Sequence, residues 1–232
     1  VFEHSYAANI LGFDDTNLID LNWYVFAGII VGCAFTYFTF ALRKWRYKTM
    51  TAIGFALAAV YLAYFYFLID YGVEKEMLFI PLVARGVASV IISIVFLTSI
   101  VQSGLPFMVF PQALTINGFT GAVMGATLGP ALIGEWLRHV MARNAMLAGS
   151  NIVDFNPAVS GFSFGQLYGI VQTQALVVSM KEIYGWLLMV ALASLLVILV
   201  GYGEVRPSAI FPKWSTIRKG IKHLVRTVGV HG

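Results

Sequence analysis

Apolar residues gather along the chain into five long blocks, 21–42, 51–69, 79–101, 107–134 and 184–202, separated by connections that hold most of the charge. About 20 consecutive apolar residues match the roughly 30 Å hydrocarbon core of a bilayer. All five blocks are long enough to span, and 107–134 is long enough to cross with tilt or a bend. Backbone N–H and C=O groups in lipid must be bonded within their own segment, so each block predicts a helix rather than a strand. The fold class expected is all-α, a polytopic membrane protein with five transmembrane helices. Around them the pattern predicts an extracytoplasmic segment at 1–20, a basic loop at 43–50, an extracytoplasmic loop at 135–183 and a basic tail at 203–232. In the long loop, Asn156-Pro157 and Gly161 mark a turn, and Leu167 to Val178 suits a helix leading into the fifth span.

Composition agrees with the pattern. The 232 residues are 59% hydrophobic and 11% charged, with a mean hydropathy of +0.81, whereas soluble domains carry about 25% charged residues. Charge placement then gives a topology. Arg43, Lys44, Arg46 and Lys48 share one connection without an acid, and the tail holds Arg206, Lys213, Arg218, Lys219, Lys222 and Arg226. With the spans alternating, ten Lys and Arg fall on that side and four on the other. The positive-inside rule places the loop and tail in the cytoplasm and the N-terminus outside, in what is expected to be a bacterial inner membrane. The same placement accounts for the basic pI by the membrane, and no nucleic-acid partner is expected. An outside N-terminus beginning Val1-Phe2-Glu3-His4, without a basic n-region, suits a chain preceded by further helices or trimmed at its start. Within 213–228, Trp214, Ile217, Ile221, Leu224 and Val228 recur at helical spacing. That predicts either a basic amphipathic helix on the anionic leaflet or a solvated tail.

Candidate chemistry is sparse. No zinc-protease, nucleophile-elbow or phosphate-loop motif occurs, and Cys33, the single cysteine, reads as a small buried hydrophobe. No enzyme activity, catalytic residue, metal site or cofactor is expected. Arg85 stands six residues into the third block, where a charge costs about 3 kcal/mol on insertion scales. Either it pairs in the interior or it snorkels outward over roughly 9 Å. Asp70 and Glu135 lie at outer span ends, as solvated residues or as proton carriers. Gln112, Thr115 and Asn117 in the fourth block offer either a polar lining for a substrate path or hydrogen bonds between helices. Gly121, Gly125 and Gly129 recur at every fourth position and end in Pro130, a stripe for close helix packing with a proline that removes a backbone hydrogen bond.

Several of these segments resemble the last five helices of major facilitator superfamily transporters, in the fourteen-helix drug:proton antiporter group of the QacA/EmrB type. Tyr6 to Phe13 is similar to the segment before the family's tenth helix, and Leu42-Arg-Lys-Trp-Arg-Tyr-Lys48 to the basic loop after it. Pro81-Leu-Val-Ala-Arg85-Gly86 resembles the twelfth helix, Asn117 to Gly134 the thirteenth, and Gln174-Ala175 with Tyr184-Gly-Trp186 the lead into the fourteenth. Gly125-x-x-x-Gly129-Pro130 is similar to an antiporter motif that the family carries in its first half. The chain departs from the family at Thr120, where an Arg often stands. The resemblance implies the C-terminal part of a proton-coupled exporter of hydrophobic or cationic compounds. Its partners would be the lipid bilayer, a small amphipathic substrate and about nine helices upstream. Arg85, Gln112, Thr115 and Asn117 would line the substrate path, and Arg43, Lys44, Arg46 and Lys48 would anchor the cytoplasmic side. A different class, a non-transporting membrane subunit or scaffold assembled through the glycine stripe, fits the same residues.

Overall fold

The computed structural model describes residues 2–70, 73–102, 109–150 and 163–201. The basic tail and the turn at 156–161 lie outside the described residues. Among those described there is no strand. A short helix, α1 (Phe2–Asn9), precedes α2 (Asp15–Thr36), which runs on as a π-helical segment, Tyr37–Leu42. Then come α3 (Tyr47–Leu68), a 3₁₀ turn (Lys75–Leu78) continuous with α4 (Phe79–Gln102), α5 (Phe110–Phe119), a second π segment (Thr120–Leu128), α6 (Gly129–Ser150) and α7 (Phe164–Gly201). Among the described residues five helices are long and apolar enough to cross a membrane: Asp15–Phe40, Tyr47–Leu68, Lys75–Gln102, Phe110–Ser150 and Phe164–Gly201.

The helices run past the apolar blocks, the first three and the fifth at their starts and the fourth at its end, most of all in the last two. The region expected as a loop at 135–183 is largely helix, because α6 continues to Ser150 and α7 already begins at Phe164. Polar residues stay helical there because they find partners across the pair. Asn144 Nδ2 donates to Ser179 Oγ at 2.9 Å, both buried, and Arg143 pairs with Glu182 at 2.6 Å. The expected helix at Leu167–Val178 lies inside α7. At 1.5 Å per residue the 41-residue helix from Phe110 reaches about 60 Å, twice the hydrocarbon thickness. Only part of it fits in lipid.

The π segments sit where regular bonding fails. Gly129 N–H reaches back five residues to the Met124 carbonyl, one residue before Pro130, which has no N–H to give the carbonyl of Ala126. Arg43 N–H likewise bonds the Phe38 carbonyl at 3.2 Å, widening the last turn before the basic loop.

Neighbours in space are only partly neighbours in sequence. The main contacts run α2 to α4, α4 to α3, α3 to α7 and α7 to α6, so α4 lies between the two helices that precede it. One core fills the end of the bundle nearest α1, around Tyr6, Leu21, Phe65, Ile69, Leu82, Met180 and Tyr184. A second fills the opposite end, around Phe40, Tyr47, Met50, Ile91 and Val95, where Tyr47 donates to Gln102 Oε1 at 2.9 Å. Outside these cores the surface is apolar: Phe67 is 78% exposed, Val197 70% and Phe96 62%. Exposed apolar side chains in such number, on helices long and apolar enough to cross a membrane, suit a hydrocarbon surround. Cys33, expected to be buried, is exposed on this surface, because at that level α2 turns only Gly32 and Thr36 inward.

The tightest seam joins α2 and α4. A Cβ on Gly28 would lie 2.3 Å from the Val83 carbonyl oxygen, and one on Gly86 would lie 2.5 Å from that of Val25. Gly32 adds a third position, with the Val87 Cα 3.0 Å from where its Cβ would stand. The stripe expected to make such a contact does not make one here. Gly121 and Gly125 have nothing within 4 Å, and Gly129 meets only Met124 of its own chain segment. Periodic glycines let a helix be approached; where the approach occurs depends on the facing helix.

Candidate functional site

Tyr6 pins α1 to the bundle. Its hydroxyl donates to the Asp70 carbonyl at 2.6 Å and accepts from the Asp70 N–H at 3.1 Å, at the end of α3. Glu3, almost one helical turn earlier, is thereby pressed between the spanning helices with 7% of its surface exposed. Its Oε1 accepts a hydrogen bond from the Tyr61 hydroxyl of α3 and pairs with Arg85 Nη1 of α4 at 2.9 Å. Tyr184 of α7 completes the cluster, stacked on Phe65 with ring centroids 5.2 Å apart and edge-on to Tyr61 at 6.4 Å. Four helices thus contribute to one polar point in an apolar wall. A cavity of about 110 Å³ adjoins it, lined by Glu3, Tyr61 and Tyr184 and by apolar side chains including Leu62, Leu137 and Met180. That is the volume of a few water molecules, at about 30 Å³ each.

The charges decide what this cluster can do. Burial pushes the Glu3 carboxyl up, but the Arg85 guanidinium and the Tyr61 hydroxyl outweigh it and hold the group below its ordinary value. A carboxylate whose folded pKa is depressed adds stability that is fully present above its unfolded value, about 4.3, and is lost as pH falls through the lower, folded value. Thermal unfolding of the detergent-solubilised chain is therefore expected to be level from pH 7 to 5 and to weaken below about pH 4. In Glu3→Gln that acid-side loss should shrink. An identical loss in both proteins would remove Glu3 as its source.

Of the residues expected to line a path, the structure brings Arg85 alone into this cluster, as an interior partner whose side chain stays 42% exposed. Gln112, Thr115 and Asn117 lie on α5. The first two are exposed and Asn117 is half-buried, and the Thr115 hydroxyl bonds the Pro111 carbonyl of its own helix at 2.9 Å. Arg43, Lys44, Arg46 and Lys48 are at the opposite end of the bundle, with Arg43 over the Phe38 ring at 4.6 Å from its centroid. Glu135 forms a surface pair with Arg138 at 2.7 Å. Sequence reasoning missed Glu3, Tyr61 and Tyr184. The available signal was slight: a single acid, Glu3, in a run from Phe2 to Phe13 that mixes apolar and aromatic residues with His4, Ser5 and Asn9. No family model, curated protein or solved structure matches the chain.

Proposed function

We propose that the chain is the C-terminal part of a secondary active transporter, of the major facilitator type it resembles. It would export hydrophobic or cationic compounds by proton-coupled alternating access, in a bacterial inner membrane with its C-terminus in the cytoplasm. The observation that supports this reading is the ion pair between Glu3, buried on α1, and Arg85, half-exposed on α4, beside a cavity. Ionisable residues within membrane spans are costly and mark ion and substrate pathways. In this reading Arg85 keeps Glu3 deprotonated while the two are paired, Glu3 takes up a proton only when a step of the cycle draws Arg85 away, and Tyr61 gives or withdraws a hydrogen bond as the charge changes. Gln112, Thr115 and Asn117 present their polar groups to the substrate from the helix that this chain leaves uncovered.

The test uses the intact protein in inverted vesicles, following accumulation of a lipophilic fluorescent cation driven by a proton gradient. Arg85→Ala and Glu3→Gln are each expected to cut gradient-driven flux at least tenfold, and Asn117→Ala to weaken it less. Unchanged flux in Arg85→Ala and Asn117→Ala would show that the path lies elsewhere.

One observation favours the second reading, a non-transporting membrane subunit or scaffold: Gly121 and Gly125 offer open backbone to a further helix. On that reading Gly121→Leu abolishes assembly with a partner chain, and no variant carries flux.

A further inference from the structure

Two concavities meet at the end of the bundle that carries residues 43–48. The first, about 430 Å³, is walled by Arg43, Lys44, Trp45, Arg46 and Thr49. The second, about 480 Å³, runs between α3 and α7 over Ala52, Ile53, Ala56, Leu195 and Leu199, with Arg46 and Lys48 at its rim. Arg46 and Thr49 belong to both, so the two form one groove with a basic mouth and an apolar floor.

The sequence builds each part. Thr49, Ala52, Ile53 and Ala56 recur at helical spacing and share one face of α3, while Leu195 and Leu199 are one turn apart on α7. The two alanines, set against bulkier neighbours, leave a trough that follows the helix for about 10 Å. Four cations and no acid occupy 43–48. The chain bends there with Lys44 at φ 53°, and Arg43 is steadied on the Phe38 ring.

We propose that this groove binds an anionic phospholipid of the adjoining leaflet. Its phosphate lies among Arg46, Lys48 and Thr49, with Arg43 and Lys44 at the mouth, and one acyl chain follows the trough between α3 and α7. Charge complementarity selects the head group. The trough runs along α3, so it receives an acyl chain in the direction the chain already has in a bilayer. The proposal needs α3 and α7 to cross the membrane and does not depend on transport.

Native mass spectrometry of the 232-residue chain in detergent tests it, with phosphatidylglycerol, phosphatidylcholine of the same acyl chains, and glycerol phosphate as probes. At equal concentration, phosphatidylglycerol should be retained about tenfold more than phosphatidylcholine, and glycerol phosphate should not displace it. A cation near an anionic surface contributes about fivefold, so Arg46→Gln with Lys48→Gln should lower phosphatidylglycerol retention at least tenfold. Ala52→Trp, which fills the trough and leaves every charge in place, should lower it comparably. Equal retention of the two lipids overturns the proposal, as does displacement by glycerol phosphate, which would mean a site for a free phosphate. Full retention in the variants does the same. Circular dichroism checks that the variants stay helical, and where one does not, the lipid comparison on the unaltered chain decides.

Discussion

Gly28→Ala is expected to destabilise the purified chain by about 2–3 kcal/mol, the cost of forcing extra volume into a closed seam, while Gly121→Ala and Gly125→Ala leave its stability level or slightly raised. All three changes add the same methyl group and gain the same helix propensity, about 1 kcal/mol in an exposed helix. They differ in what the methyl meets. At Gly28 it lands on the Val83 carbonyl oxygen and Cα, at 2.3 and 2.9 Å, which cannot rotate away. At Gly121 and Gly125 it meets nothing within 4 Å. To admit one methyl group, α2 must move away from α4 along its length, and the contacts at Gly32 and Gly86 loosen with it. For that reason Gly28→Ala with Gly86→Ala should cost less than the sum of the two, because one separation relieves both. Melting curves in detergent, followed by helical circular dichroism, decide the matter. Equal midpoints for Gly28→Ala and Gly121→Ala would mean that the seam is not close-packed.

The second large effect is asymmetric. Arg85→Ala leaves the Glu3 carboxylate buried with its countercharge gone, and breaking a buried pair from one side costs about 3–5 kcal/mol. The lower end applies, because Arg85 itself keeps 42% of its side chain exposed and the pair is partly screened. Glu3→Ala removes the more deeply buried member and leaves a guanidinium with access to solvent, so its cost should be smaller. Replacing both, Glu3→Gln with Arg85→Met, should recover most of the Arg85→Ala loss, since no charge then remains uncompensated. The check is a double-mutant cycle of Glu3→Gln, Arg85→Met and the two together, on the same melting curves. A cycle with no coupling, or Glu3→Ala as damaging as Arg85→Ala, would contradict the arrangement described.

Hydropathy located all five spanning helices, since the number of crossings depends only on which stretches hydrocarbon will accept. It did not locate their ends. Residues 135–150 and 164–183 are helical although they are less apolar or interrupted by charge, because Asn144, Ser179, Arg143 and Glu182 satisfy one another across the pair. Partnership of that kind has no local signature. Arg85 declared itself by being a charge among apolar residues, which is why interior pairing stood as one of two readings beside snorkelling; its partner, 82 positions earlier in a polar N-terminal stretch, was not legible. Glycine spacing did not point to the seam formed within this chain, for a related reason. The regular stripe from Gly121 to Gly129 outshone Gly28, Gly32 and Gly86, yet closeness belongs to two surfaces, and one strand of sequence describes a single surface.

The position of α4 also sets an order of assembly. During synthesis α2 and α3 emerge before it, and in the finished protein they meet mainly through it. The early pair therefore has little mutual surface to close on, and the notch at Gly28 and Gly32 stays unfilled until Gly86 has left the ribosome. A chain halted after residue 70 would hold α2 and α3 without the helix that seats them, and quality-control proteases that sample unassembled segments would find it an easy target.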